Sequence, residues 1–353
     1  MLGLMELLRL AKEKNASDIF IVSGQPLSYK SEGAIVTVDD EKVMPPTAEA
    51  LIKEAYAIGH RDMSHFENTG DDDFALSVPD LSRLRVSAYK QRGSMAAVIR
   101  MIAFGVPDYR QFGIPEAVME LSKATKGLIL VTGPAGNGKS TTLSCIIDRI
   151  NHTRTGHIIT IEEPIEFLYR NDRSIISQRE VSLDTFDYVT ALRACLRQAP
   201  DVILLGEMRD YETIKTAMTA AETGHLILST LHTVGAVSTI DRIIDIFPVN
   251  QQYQIRSQLA MQLKTVVSQQ LLPTTDGKVA PAFEIMHVTP AIRTMIREQK
   301  VHQIDAAISM GAREGMTAMD GSILALYNAG RITAETAVSY AINPEQMAKR
   351  VKA

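Results

Sequence analysis

The glycine-rich segment at residues 133–141 constrains the fold of this chain more than any other feature. Its sequence, GPAGNGKST, matches the phosphate-loop pattern G-x-x-x-x-G-K-[ST]. A continuous apolar run, 128–132, precedes it, and a segment with helical spacing, 141–150, follows. In that context the loop curls backbone N–H groups around a phosphate, and the helix directs its positive end at the same anion. The segment predicts an α/β domain that binds a nucleotide.

Two side chains of this loop predict its chemistry. Lys139 can reach the β- and γ-phosphates, and the Ser140 hydroxyl is placed to ligate Mg²⁺. A glycine-rich turn without a ligand is the alternative, which the flanking strand and helix disfavour. The expected nucleotide-binding residues are Gly133, Pro134, Ala135, Gly136, Asn137, Gly138, Lys139, Ser140 and Thr141.

Three further apolar runs predict the rest of a sheet. They lie at 157–161, 202–205 and 226–228, with helical segments between them. Strands that are apolar throughout are typical of a parallel sheet covered on both faces. After about residue 248 the pattern predicts mostly helix, interrupted by one β-like patch at Val279–Ile285.

The first hundred residues predict a different architecture, a small α+β domain with an antiparallel sheet. The acidic run Asp71–Asp73 is expected in an exposed loop. Residues 104–114 contain two Gly and one Pro and predict a linker between domains at 1–103 and 115–353. The predicted elements are a helix over 2–14, strands at Asp18–Val22 and 33–38, a helix over 47–58, and alternating runs at 73–78, 82–90 and 94–102.

Composition excludes several classes of protein. With 45% hydrophobic and 22% charged residues among 353, the chain is globular rather than disordered. A net charge of -4 argues against a surface built to bind nucleic acid. Cys145 and Cys195 cannot form a disulfide framework or a four-cysteine zinc site, which favours a reducing cytoplasm. We expect neither a transmembrane segment nor a secretory signal.

Carboxylates at strand ends supply the second half of the predicted site. A nucleotide hydrolase needs them to handle Mg²⁺ and the attacking water. Glu207 ends the apolar run at 202–205 and is expected to activate water or to hold Mg²⁺ through a water, although Gly206 stands where Asp is more common. Glu162 and Glu163 follow another strand. The alternatives are surface acids and ordinary ion pairs.

Two histidines flank the apolar run near residue 227. His232 follows it and His225 precedes it. A histidine at the carboxyl end of a strand beside a phosphate loop can sense the γ-phosphate. A zinc pair is disfavoured because no Cys or third His is close in sequence. A structural role, with the ring bonded to backbone, remains the alternative for both.

These segments together resemble one family, the secretion-superfamily ATPases of type II secretion and type IV pili. Glu162–Phe167 is similar to its acidic box, Asp201–Asp210 to its second nucleotide motif and Thr223–Thr233 to its histidine box. Ala291–Glu298, AIRTMIRE, resembles the AIRNLIRE segment of the pilus retraction ATPases of twitching motility. The resemblance extends over nearly the whole chain.

The resemblance implies a PAS-like N-terminal α+β domain joined to a RecA-like ATPase domain, with six copies in a ring. It places ATP between the two domains, where N-terminal arginines approach the phosphates as arginine fingers do. Arg85 and Arg100 are the favoured candidates, and Arg83 and Arg92 lie in the same region.

The same resemblance implies a function and a location. Mg²⁺-dependent ATP hydrolysis would drive a motor on the cytoplasmic face of the inner membrane. Its partner would be the platform protein of the pilus machine, and its outcome pilin disassembly and twitching motility. In the segment 291–298, Ile292, Met295 and Ile296 are expected to face the core. Arg293 and Arg297 lie on another face and are expected to couple motion to a partner or neighbouring subunit, with a solvated helix face as the alternative.

Three alternative functions remain. A related secretion, DNA-uptake or pilus-assembly ATPase differs from this prediction mainly in the segment 291–298. A RecA-like nucleic-acid motor would need a basic channel, which the acidic balance disfavours, so no nucleic acid partner is expected. A regulatory protein that binds ATP without turnover is disfavoured by the intact Lys139, Ser140 and Glu207.

Overall fold

The computed structural model describes residues 2–31, 33–79, 81–102 and 105–351. The chain divides into two compact units, Met1–Gly105 with Glu166–Leu168, and Val106–Ile165 with Tyr169–Ala353. Phe104, the first residue of the predicted linker, lies outside the described residues. Among the helices described, none is both long enough and apolar enough to cross a bilayer.

The first unit is an antiparallel sheet with helices packed against it. The sheet has six strands in the order β3-β2-β1-β6-β5-β4. One strand, β2, was not predicted by the sequence analysis. The PAS-like character of this unit stays a prediction. The elements are α1 (Leu4–Glu13), β1 (Asp18–Val22), β2 (Pro26–Ser31), β3 (Ala34–Lys42), α2 (Pro45–Ile58), α3 (Ser64–Thr69), β4 (Asp71–Val78), β5 (Ser82–Gln91) and β6 (Ser94–Ile102).

The prediction of an exposed loop at Asp71–Asp73 is wrong, because these residues begin β4. Asp72 is buried, and its carboxylate accepts hydrogen bonds from Arg61 at 2.8 and 2.7 Å. The hydroxyl of Tyr56 donates a third, at 3.0 Å. The burial of this carboxylate is compensated by a bidentate arginine.

The second unit is a mixed sheet with helices on both faces. Its seven strands lie in the order β13-β12-β7-β11-β10-β8-β9. All neighbours are parallel except β13, which pairs antiparallel with β12 at one edge. The strands are β7 (Gly127–Thr132), β8 (His157–Glu162), β9 (Ile175–Glu180), β10 (Val202–Leu205), β11 (Leu226–Leu231), β12 (Leu263–Pro273) and β13 (Val279–His287).

The helices of this unit differ in length, and the one that follows the phosphate loop, α5, is the longest described. They are α4 (Glu116–Met119), α5 (Lys139–Thr153), α6 (Tyr188–Cys195), α7 (Tyr211–Glu222), α8 (Ala236–Asp245), α9 (Gln252–Gln262), α10 (Pro290–Arg297), α11 (Ile304–Met310), α12 (Met319–Asn328), α13 (Ala334–Tyr340) and α14 (Pro344–Arg350).

Alternate residues of the central strands feed two separate cores. Leu128 and Leu130 belong to one apolar cluster, and Ile129 and Val131 belong to another on the opposite face. Because successive side chains of a strand point to opposite faces, this division requires helices on both sides. The predicted α/β class and the doubly covered parallel sheet are confirmed.

The prediction of mostly helix after residue 248 is wrong for β12, which lies inside the sheet. Its apolar residues are interrupted by Ser268, Gln269 and Gln270, and all three polar residues are buried. Polar residues in the middle of a strand hide the continuous apolar pattern on which the prediction relied. Their hydrogen-bond partners, on segments distant in sequence, explain why they are there.

Candidate active site

The sheet order brings the predicted site residues to one edge. The strands β7, β11, β10 and β8 are parallel neighbours in that order. Their carboxyl ends lead into the phosphate loop, His232, Glu207 and Glu163 respectively. Ligand sites of parallel sheets form at this edge. Residues that are up to a hundred positions apart in sequence thus meet because of strand order.

The phosphate loop joins β7 directly to α5, which begins at Lys139. The Lys139 side chain is buried. Its ammonium group donates hydrogen bonds to the carbonyl oxygens of Gly133 and Pro134, both at 2.9 Å. The loop therefore curls around the cation. Ser140, the second residue of the helix, stands at its positive end.

The strand β12, which sequence analysis did not predict, supports the phosphate loop through hydrogen bonds. The Gln269 side chain accepts a hydrogen bond from the hydroxyl of Thr142 at 2.7 Å. The Asn137 side chain accepts one from the backbone N–H of Leu271 at 2.6 Å and donates one to the carbonyl oxygen of Ala135 at 3.2 Å. Side-chain amides thus fix the loop to the strand.

His232 lies between the loop lysine and the acid of β10. Its Nδ1 is 3.5 Å from Nζ of Lys139, and its Nε2 is 3.2 Å from Oε2 of Glu207. An ammonium group only donates and a carboxylate only accepts. Both contacts are hydrogen bonds when Nδ1 accepts from Lys139 and Nε2 donates to Glu207. The structure places Lys139, His232 and Glu207 in one connected row.

Glu207 has a further partner, Arg209, which sequence analysis did not single out. The Nε of Arg209 donates to Oε2 of Glu207, the same oxygen that faces His232. This hydrogen bond raises the pKa of Arg209. The sequence feature that could have identified Arg209 is its position two residues after Glu207.

The loop that carries His232 is tied to the two strands at the sheet edge. The backbone N–H of Gly235 donates to the Ser268 hydroxyl at 2.9 Å, and that of Ala236 donates to Glu284 at 2.8 Å. Glu284 is buried, and burial raises its pKa. The acceptors on β12 and β13 therefore fix the start of α8, just after His232.

The neighbouring acids Glu162 and Glu163 differ in burial. Glu162 ends β8 in a buried position, and its carboxylate accepts a hydrogen bond from the Thr160 hydroxyl at 2.6 Å. The next residue, Glu163, is exposed. The two carboxylates therefore have different environments, and the buried Glu162 is the better held of the two.

Tyr188 lies beside these acids, and sequence analysis did not identify it as a site residue. A Cβ at position 206 would lie 2.8 Å from its hydroxyl oxygen, so a larger residue there would require the tyrosine to shift. Burial raises the pKa of Tyr188, and three neighbouring carboxylates raise it further, those of Glu207, Glu163 and Glu162. The phenol is therefore a neutral hydroxyl beside the acids.

A cavity of about 580 Å³ opens beside the phosphate loop. Gly138 and Thr141 line it from the loop, and Leu271 lines it from β12. Phe112, which is 46% exposed, and Arg331 also contribute to its wall. A half-exposed aromatic ring beside a phosphate loop is suited to contact a planar base.

His225 lies apart from the other predicted site residues. It precedes β11 and therefore stands at the opposite edge of the sheet from His232. Its Nδ1 lies 3.0 Å from the carbonyl oxygen of Ala220 and 3.1 Å from the Thr223 hydroxyl. These contacts hold the turn after α7.

The predicted arginines belong to the first unit. Arg85 and Arg100 are directly opposite each other on β5 and β6. Arg100 also forms an ion pair with Asp18, with 3.0 Å between Nε and Oδ1. Like charges on directly opposite residues repel.

Comparison with known proteins identifies the family. The model of the type II/IV secretion system protein family matches residues 3–321. The type IV pilus retraction ATPase PilT of Pseudomonas aeruginosa is 40% identical over 98% of this chain and 99% of its own. A twitching motility protein of Neisseria gonorrhoeae is 45% identical over 78% of this chain and 74% of its own. The crystal structure of the pilus retraction motor PilT with bound ADP superposes with a TM-score of 0.90, at 42% identity, over 98% of this chain and 99% of that one.

The chain belongs to the type II/IV secretion system protein family. Within that family it is a P-loop ATPase, as its loop and sheet order indicate. The predicted fold class and the family resemblance are confirmed.

Proposed function

We propose that this chain is the ATPase motor that drives type IV pilus retraction and twitching motility. The observation that carries the proposal is its similarity to the Pseudomonas retraction ATPase, which extends over 98% of this chain at 40% identity. The similarity thus includes both compact units rather than the nucleotide-binding unit alone.

In the proposed mechanism, the loop amides and Lys139 bind the phosphates of ATP. Lys139 exchanges its carbonyl partners for phosphate oxygens. Among the residues that the structure describes, no group of three or more His, Cys, Asp or Glu side chains is arranged to hold a metal alone. Mg²⁺ typically binds through one or two protein oxygens together with substrate phosphates. Ser140 would contribute one such oxygen, and Glu207 would bind through a water.

Hydrolysis is assigned to the acids at the strand ends. Glu207 takes a proton from the attacking water as that water's oxygen bonds to the γ-phosphorus, and ADP leaves. Glu162 assists, and Glu163 stands beside it. Bound Mg²⁺ would neutralise charge on the phosphates. His232 connects Lys139 to Glu207, so a phosphate that displaces the lysine alters the hydrogen bond at the acid.

The cavity beside the loop is proposed to hold the base and ribose. Its volume, about 580 Å³, falls within the range of small-molecule sites. Phe112 offers a ring face for stacking, and Arg331 offers a cation at the cavity wall. This arrangement would bind the nucleoside without contributing to the chemistry.

The assembly is proposed to be a ring of six identical subunits at the cytoplasmic face of the inner membrane. Arg85 and Arg100 would act on the phosphates as arginine fingers. The ring would push on the membrane platform protein of the pilus machine and so act indirectly on pilin. These assignments follow from the family resemblance.

The biochemical test is the replacement of Lys139 by Ala. The variant is expected to lose ATP hydrolysis and to bind ADP more weakly. Lys123→Ala is the matched control, since Lys123 forms an exposed ion pair with Glu120. Unchanged turnover by purified Lys139→Ala would refute the active-site assignment.

The cellular test separates retraction from the related motors. Deleting the gene in its host is expected to leave cells with excess pili and no twitching motility. Cells without pili would indicate an assembly motor, and normal pili with impaired protein export would indicate a secretion motor. Either outcome would overturn the retraction proposal while leaving the ATPase assignment in place.

A further inference from the structure

The hydrogen bonds of Glu207 are unevenly divided between its two oxygens. Oε2 faces both the Nε of Arg209 and the Nε2 of His232, the latter at 3.2 Å. Within the described part of the chain, Oε1 receives no hydrogen bond. The Glu207 side chain is only 11% exposed, so its orientation is set by these donors rather than by bulk water.

We propose that Arg209 is a positioning residue for hydrolysis. Together with His232 it fixes the carboxylate of Glu207 through Oε2 and directs Oε1 toward the attacking water. Two donors on one oxygen define the plane of a carboxylate better than either donor alone. This inference rests on the proposed role of Glu207 and gives a role to Arg209, which lies within the second nucleotide motif but receives no role from the comparisons.

Two other roles for Arg209 differ from positioning in what they predict. A contribution to stability would be small, because its side chain is 70% exposed and exposed ion pairs stabilise little. The terminal guanidinium nitrogens could contact phosphate while Nε donates to Glu207, and such a contact would make ADP affinity depend on Arg209. Positioning uses the contact as it stands.

The first experiment measures hydrolysis and ADP affinity for the purified full chain and its Arg209→Ala variant. A carboxylate displaced by about 1 Å is expected to lower kcat roughly 10- to 100-fold. KM and the Kd for ADP should stay within about twofold. Arg209→Lys keeps a cationic donor and should recover part of kcat.

The matched control is Arg193→Ala, since Arg193 forms an ion pair with Glu212 at 3.1 Å on the neighbouring helices. This control should leave both kcat and ADP affinity unchanged. If Arg209→Ala fails to fold, Arg209→Gln keeps an N–H donor and supplies the comparison. A tenfold loss of ADP affinity in an Arg209 variant would mean contact with phosphate and overturn the proposal.

The second experiment is a double-mutant cycle with Glu207→Gln. If Arg209 acts through Glu207, adding Arg209→Ala to Glu207→Gln should change kcat by less than about twofold. If the kcat losses of the two single variants instead multiply in the double variant, the proposal is overturned. A near-normal Glu207→Gln enzyme would instead refute the proposed role of Glu207, so the two failures are distinguishable.

Discussion

Gly133 and Gly136 lie in the same loop and both have positive φ, but only Gly133 lacks space for a side chain. A Cβ at position 133 would stand 2.2 Å from the carbonyl oxygen of Gln269. Carbon and carbonyl oxygen normally approach no closer than ~3.3 Å. That oxygen belongs to β12, which is hydrogen-bonded to strands on both sides and cannot easily retreat. At Gly136 a Cβ would meet nothing within 4 Å.

The difference in stability follows from these contacts. Gly133→Ala combines backbone strain of about 1–3 kcal/mol at a φ of +143° with overpacking of about 1–3 kcal/mol. Gly136→Ala costs only about 1–2 kcal/mol for left-handed backbone. The midpoints of the two estimated free-energy costs differ by roughly 2.5 kcal/mol, which at ~2–4 °C per kcal/mol should place the melting temperature of Gly133→Ala about 5–10 °C below that of Gly136→Ala.

The assay is thermal unfolding of the nucleotide-free chain, followed by circular dichroism. Gly321→Ala in α12 is the control, because a Cβ there meets nothing within 4 Å and Ala favours helix. It should melt no lower than the parent. A Gly133→Ala variant that melts within about 2 °C of Gly136→Ala would refute the argument that β12 leaves no space.

Three further predictions concern activity. Glu207→Gln should still bind MgATP, because the amide oxygen can accept the same hydrogen bonds, but should hydrolyse it at least ~100-fold more slowly; a near-normal kcat would move the base to Glu162. Phe112→Ala should raise KM several-fold with kcat unchanged if the base stacks there, and an unchanged KM contradicts that pocket. The double variant Arg293→Ala with Arg297→Ala should keep ATPase within a few-fold and lose twitching in cells, whereas normal twitching contradicts a coupling role for α10.

The sequence was sufficient for those parts of the site that depend on strand order. The loop at 133–141 and the acids and histidine at strand ends could be placed because apolar strands and a phosphate motif are local signals. The core side of α10 was also predictable, since Ile292 and Ile296 are buried and Met295 packs, partly buried, against the same core. Periodicity alone carries this information.

The rest depends on contacts between distant segments. Gln269 is polar because it bonds Thr142, 127 positions away, so no local pattern could mark its strand. Asp72 is buried because Arg61 compensates its charge. The position of Tyr188 beside the acids was hidden in the same way, because it depends on the contact between its hydroxyl and the strand end at Gly206.

The β12–β13 hairpin has a mechanical consequence. On one side it holds the phosphate loop through Asn137 and the first turn of α5 through Thr142. On the other it meets the C-terminal helices, since the backbone N–H of Phe283 donates to Ser322 of α12 and the Gln270 side chain donates to the carbonyl oxygen of Tyr340. A pull on those helices reaches the phosphate loop through paired strands, with no flexible linker between. Tension on the C-terminal helices is therefore expected to change how tightly the phosphate loop holds a nucleotide.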